Sequence, residues 1–300
     1  MKNEKDASKS PLLAWCGWRL RLPEDWRPLR LEGGWKAGRL MIGDATEAIL
    51  KVAWARVPPA RARAAWERRI RRAARERRTP VPRGFTECAL LRPRKSAQAI
   101  WSGCAEPAGL LLEVVYSAAA DASRRGRVEN QVLPSLAAEA PEGVSGTCWS
   151  IFGAAFVAPS GWVLLGQSLH LGQISLRFAR GKDRLSVGQV YPAGLALARR
   201  PLGFWLRSWP WEQKTLRRFR AAGDAQPWRL PCDGGEHAGL LRRGRKRIRW
   251  PLGFLAPRNV ASAAVVDGTR GRILRAEIES PREGDESILR VAVLGMCRNV

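Results

Sequence analysis

The sequence predicts an α+β chain of two tandem related domains, each a mostly antiparallel β-sheet covered by helices. Three observations predict it. Short apolar–polar alternations are bounded by Gly and Pro, as half-buried strands are. A few stretches dense in helix formers interrupt them. The same order of elements then returns in the second half, the mark of a duplication. The expected bounds are a disordered N-terminus at 1–14, a first domain at 15–143, and a second at 147–300 with a Trp-rich insertion at 194–230. The chain has 300 residues, enough for two domains on a prior of roughly 150 residues each. Its 45% hydrophobic and 26% charged composition excludes a disordered or collagen-like chain.

The first strand signal is WRLRLPEDW at 18–26, where Trp18, Leu20 and Leu22 alternate with Arg19 and Arg21 until Pro23 stops the run. Gly33, Gly34 and Gly38 break the chain before GRLMIGD, and AILKVAWARV follows at 48–57 as a second strand region. The segment 60–78 then reads as a helix, with Trp66, Ile70 and Ala73 on one narrow apolar stripe. FTECALLR, AQAIWSGC and GLLLEVVYSA are three further strands, and VENQVLPSLAAEA predicts a short helix near 128–140.

In the second half, Pro159 and Trp162 repeat the P-x-x-W of Pro23 and Trp26. A Gly-led strand follows from Gly172 as from Gly38, then a strand around Val187 as around Val52, each ending near Pro-Ala (Pro59-Ala60, Pro192-Ala193). Helical material is expected around Trp211–Ala222, three strands near 238–250, 255–266 and 271–279, and a closing amphipathic helix from Ser280 to Met296. This order, with its P-x-x-W turn, resembles the PsbP-like α/β/α sandwich in tandem. The resemblance implies a binding or assembly module without catalytic residues, and it carries no functional motif over to this chain.

The charge balance is the outlier: 52 Lys+Arg against 27 Asp+Glu, a net +25. The surplus is spread over both halves, so the bodies themselves are basic, and such a field attracts polyanions. Six Cys stand far apart with no C-x-x-C spacing, so no zinc site is expected and the thiols read as reduced and buried in a cytoplasmic protein. Val144 to Leu176 lacks Asp, Glu, Lys and Arg, but Pro159 and Gly153, Gly161, Gly166 and Gly172 punctuate it as sheet core, not a membrane span.

Three places carry candidate chemistry. On the 61–78 helix, Arg68, Arg69, Arg71, Arg72 and Arg75 are placed on an outer face suited to phosphate; a solvated helix surface explains them as well. In RRGRKRIRW, the residues Arg242, Arg243, Arg245, Lys246, Arg247 and Arg249 precede Trp250, either as a nucleic-acid contact or as a charged edge strand. Trp205, Trp209 and Trp211 cluster in FWLRSWPW, as a protein interface or a seam between domains. Cys232 and His237 share a Gly-rich loop, which loop polarity explains without catalysis, and His170 reads as a structural strand residue. No nucleotide-binding glycine motif is present. The expected function is therefore a non-catalytic cytoplasmic binding or assembly protein with a macromolecular partner and no cofactor. The alternative is a sequence-nonspecific nucleic-acid binder.

Overall fold

A computed structural model describes residues 10–71, 76–77, 79–93, 96–138, 146–210, 217–221, 224–232, 235–248, 258–281 and 286–297. The chain divides into two compact units, Met1–Gly153 and Ala154–Val300.

Unit 1 starts with a hairpin, β1 (Leu12–Trp15) and β2 (Trp18–Arg21). Leu13, Trp15, Trp18 and Leu20 alternate inward and are buried. The turn is Cys16-Gly17, with φ of 47° and 79°. Two positive φ values in a two-residue loop match the right-handed strand twist, and Gly17 accepts this where most residues would not. Strands β3 (Arg27–Gly33), β4 (Ala37–Gly43) and β5 (Ala48–Arg56) form a meander. Helix α1 (Pro59–Ile70) follows, with Pro59 in its first turn, where a missing N–H costs nothing. Strands β6 (Glu76–Arg77), β7 (Glu87–Leu91), β8 (Gln98–Ala105) and β9 (Leu110–Ser117) then return, so that β9 lies beside β5 in the order β3-β4-β5-β9-β8-β7-β6. One sheet face buries Leu40, Ile42, Val52, Trp54, Trp101, Leu112 and Val114. Helix α2 (Ala122–Arg127) continues into a π turn (Val128–Val132) and a 3-10 turn (Leu133–Ser135), and β10 (Thr147–Ile151) pairs with β1.

Unit 2 runs β11 (Ala154–Ala158), β12 (Val163–His170), β13 (Gln173–Arg180), β14 (Asp183–Val190), α3 (Ala193–Arg199), α4 (Leu202–Trp205), β15 (Arg217–Ala221), β16 (Gln226–Cys232), β17 (Gly235–Ile248), β18 (Arg258–Asp267), β19 (Arg272–Ser280) and α5 (Glu286–Cys297). Its sheet has the order β12-β13-β14-β19-β18-β17-β15, with β16 also paired to β17. In both units, then, a three-strand meander is followed by helix and a return meander whose last strand docks on the third.

Local details repeat as well. Cys16-Gly17 precede Pro23 and Trp26 by the same spacing at which Phe152-Gly153 (φ 51° and 75°) precede Pro159 and Trp162. The P-x-x-W is a turn: the Trp26 N–H donates to Pro23 O at 3.0 Å, and the Trp162 N–H to Pro159 O at 3.3 Å. Both rings are buried, each with an arginine over its face, Arg127 at 4.9 Å and Arg180 at 5.0 Å.

The helix-covered α+β expectation is corrected: the chain is mostly β, and its helices are few and short. Helix α1 has 12 residues, about 18 Å of rise, against a sheet roughly 29 Å wide at ~4.8 Å per strand spacing. It buries Ala62 and Trp66 on Ala89, Leu91, Cys104 and Leu111, covering only that part of the face. Of the helix expected over 60–78, Pro59–Ile70 is described as helix and 72–75, with Ala73, lie outside the described residues; Glu76 and Arg77 pair with Leu91 and Leu90 as a strand. Of the helix expected around Trp211–Ala222, residues 211–216 and 222 lie outside the described residues, and Arg217–Ala221 form β15, where pairing with β17 outweighs helix propensity. The closing helix starts at Glu286 rather than Ser280, which belongs to β19. The N-terminal stretch expected to be disordered includes the start of β1, with Leu13 and Ala14 buried.

Candidate binding sites

On α1, Arg68, Arg69 and Arg71 are exposed, but most of this face is engaged locally. Arg63 reaches Glu87 at 3.1 Å and Glu67 at 3.4 Å, Arg69 reaches Glu113 at 3.5 Å, and Arg71 reaches Glu67 at 3.6 Å. Arg68 donates through Nε to the Ala64 carbonyl at 3.2 Å. The acids come from β7, β9 and the helix itself, so the sequence surplus overstates the charge this face offers. Arg72 and Arg75 lie outside the described residues.

Strand β17 carries the second cluster. Arg243 pairs with Glu286 and Arg245 donates to Asn259 Oδ1 at 3.2 Å. Burial, with Arg207 nearby, lowers the Arg242 guanidinium from its ordinary value. The β15–β17 register sets Arg218 opposite Arg247 and Arg220 opposite Arg245, and the β17–β18 register sets Lys246 opposite Arg258. Arg249 and Trp250 lie outside the described residues, as do the side chains of Arg218, Arg220, Lys246 and Arg247.

The Trp cluster turns inward. Trp209 is 2% exposed, and its ring lies 4.2 Å from the guanidinium of Arg275, with Trp205 at 5.9 Å. Arg275 is itself 0% exposed. It donates to Ser208 O at 2.8 Å, Trp205 O at 3.3 Å and Ser175 Oγ at 3.1 Å. These Trp residues shelter a buried cation, and Trp211 lies outside the described residues. Large apolar side chains are exposed elsewhere in unit 2, at Leu171, Tyr191 and Leu195. Leu171 and Tyr191 share one sheet end, where the Tyr191 N–H donates to Gly172 O at 2.7 Å.

In β16–β17, Cys232 stands opposite Gly235 and His237 opposite Leu230, so the two residues are separated along the ladder and are not a cross-strand pair. The thiol side chain is not among those described. His170 is exposed at the end of β12, not packed in the sheet. Among the described residues no group of three or more His, Cys, Asp or Glu could hold a metal, and no helix is long and apolar enough to cross a membrane.

One site in unit 1 has no counterpart in the sequence reading. A cavity of about 250 Å³ is lined by residues that include Trp18, Arg19, Trp35, Arg56, Thr147 and Cys148. Arg56 ends β5 and donates from Nη1 to Ala108 O and from Nη2 to Cys16 O, both at 2.8 Å. Its guanidinium lies 4.0 Å from the Trp35 ring centroid. Gly17 makes the room, since a Cβ there would stand 2.5 Å from Nη2. Burial lowers the guanidinium from its ordinary value, yet an arginine stays charged. Burial also pushes the Cys16 thiol far up, and the Cys148 thiol up to about 11 despite the charge of Arg19. Neither sulfur is a thiolate that would neutralise the arginines.

Compared with known proteins, the chain matches no family model and no curated sequence. Arg56 and Trp35 escaped the sequence reading because neither stands in a cluster. The signal that was present is the Cys-Gly pair ahead of the P-x-x-W, repeated as Phe-Gly, which marks a tight hairpin turn in each unit.

Proposed function

We propose that this chain is a non-catalytic cytoplasmic binding protein whose macromolecular partner is a polyanion, met on the β15–β17 surface of unit 2. The observation that carries the reading is the register: two Arg–Arg rungs, Arg218 with Arg247 and Arg220 with Arg245, are two residues apart on one face of the β15–β17 pair. A row of arginine positions on one sheet face gains when an anionic backbone runs along it and releases its counterions. The α1 arginines, tied to Glu67, Glu87 and Glu113, are secondary in this reading. The tandem PsbP-like resemblance, with its binding and assembly modules, belongs to the same proposal.

The test is fluorescence anisotropy with labelled single- and double-stranded DNA and RNA from about 50 to 300 mM salt, where the slope of log K on log [salt] counts neutralised phosphates. Arg243→Glu with Arg245→Glu is expected to weaken binding at least tenfold, and Arg68→Glu with Arg69→Glu by less. Absence of binding at the lowest salt, or a loss confined to the α1 pair, overturns the reading. A protein partner is the second reading, favoured by the exposed Leu171, Tyr191 and Leu195. On that reading Leu195→Asp abolishes co-purification of the partner, and the β17 charge reversals leave it intact.

A further inference from the structure

We propose that the Arg56 cavity of unit 1 binds a small aromatic carboxylate. The site is separate from the cationic strands of unit 2 and does not rest on the polyanion reading.

The charge argument comes first. Two arginines, Arg19 and Arg56, line the cavity, and among the described residues no carboxylate does. Arg56 is held by two backbone carbonyls and the Trp35 face, all of which are neutral. Its Nε–H is buried and has no acceptor. A partly buried cation held only by neutral groups is uncompensated, so the arrangement gains when an anion enters the cavity. Each terminal nitrogen serves one carbonyl and keeps its second N–H, so two of the five guanidinium donors are spent. Carboxylate oxygens match the planar guanidinium fork.

The shape argument narrows the class. At about 250 Å³ the space lies just under the roughly 300–1,000 Å³ typical of drug-sized ligands, which suits a one-ring acid and not a nucleotide. The half-buried Trp35 stands in the lining, with the buried Trp18 beside it, and gives the cavity an apolar aromatic wall beside its cations. The Thr147 hydroxyl and the second arginine complete the polar side.

The fixed turn keeps the site in shape. Cys16 and Gly17 both hold positive φ in the β1–β2 turn, and through it the Cys16 carbonyl faces Arg56. The arginine is thus seated before any ligand arrives, and such preorganisation lowers the cost of binding.

Isothermal titration calorimetry of the full chain with benzoate tests the assignment, with benzamide and inorganic phosphate as comparison ligands. Saturable one-to-one binding of benzoate is expected, with benzamide at least tenfold weaker because it lacks the charge. Phosphate alone is expected to bind more weakly than benzoate because it lacks the ring. Arg56→Gln is expected to lose at least tenfold. Should that variant fail to fold, Arg19→Gln at the half-buried second arginine, expected to lose at least threefold, and the benzamide comparison on the wild-type chain decide the matter. The proposal is overturned by no saturable heat with benzoate at millimolar concentration, by benzamide binding as tightly, by phosphate binding more tightly, or by a folded Arg56→Gln that binds unchanged.

Discussion

The central strands β9 and β19 occupy the same place in their two sheets and solve it differently. Each follows a glycine of matching conformation, Gly109 at φ 59° and Gly271 at φ 60°, whose carbonyl accepts from the chain after the third strand, Val57 N–H in one unit and Ala193 N–H in the other. The fourth residue past that glycine is Glu113 in unit 1 and Arg275 in unit 2. Glu113 keeps 31% of its side chain exposed and pairs with Arg69 of α1 at 3.5 Å. Arg275 is wholly buried, under Trp209 and the carbonyls of Trp205 and Ser208. The strand neighbour makes the difference possible. Arg275 stands opposite Gly188, where a Cβ would approach its Nε to 3.1 Å, whereas Glu113 stands opposite Ala53. The same topology therefore supports an open salt-linked face in one unit and a sealed cationic centre in the other, and the side chain facing the central strand decides which.

The comparison breaks first if the two P-x-x-W turns are not equivalent. Trp26→Ala and Trp162→Ala are each expected to cost about 3–5 kcal/mol in denaturant unfolding, since both remove a buried ring; a loss in only one would deny the parallel. Arg275→Ala is expected to cost a similar 3–5 kcal/mol by leaving buried carbonyls unpaired, and Glu113→Ala no more than about 0.5 kcal/mol, as exposed pairs contribute little.

Asp267 sharpens the contrast through pH. It bonds Arg272 at 2.9 Å with both side chains about 95% buried (4% and 5% exposed), and Arg272 also donates to the Met296 carbonyl near the end of α5 at 2.8 Å. Burial pushes the Asp267 carboxyl up, but the Arg272 and Arg270 hydrogen bonds outweigh it and hold the group below the usual carboxylate range. Its stabilisation is therefore in force above the unfolded value of about 3.9 and fades as pH falls through the lower folded value. Asp267→Asn is expected to cost about 3 kcal/mol near neutrality, and the gap to wild type should close as unfolding is followed down toward pH 3. The corresponding turn of unit 1 has no such pair, Ala105 and Leu110 standing opposite each other.

The smallest effect separates the two hairpin glycines. Gly17→Ala and Gly153→Ala both place a side chain at positive φ, at about 1 kcal/mol. Only Gly17→Ala also strikes Arg56, since a Cβ at Gly153 meets nothing within 4 Å. Matching melting-temperature losses would mean that Gly17 does not seat the arginine.

Much of the strand plan was legible because alternation reports which face a strand buries. Trp18 and Leu20 announced β2, and the runs near 238–250, 255–266 and 271–279 announced β17, β18 and β19. Helix was expected in two Arg-rich stretches that pair as strands, at Glu76–Arg77 and at Arg217–Ala221. Propensity is a local quantity, and strand pairing overrode it. The sites were less legible still. Trp209 reads as a surface aromatic until Arg275 is placed beneath it, although the two are far apart in the chain.

By itself the sequence determined the positive charge, the repeated P-x-x-W turns, and the strands whose side chains alternate, since composition and local sterics suffice for these. Tertiary structure alone decided which charges remain available. Register set Arg218 against Arg247, the acids of β7 and β9 answered Arg63 and Arg69 on α1, and the β1–β2 turn brought Cys16 to Arg56. Each outcome depends on which distant residue arrives opposite a guanidinium, because a cation's chemistry is set by its partners and its dielectric surroundings, and neither is local in the chain.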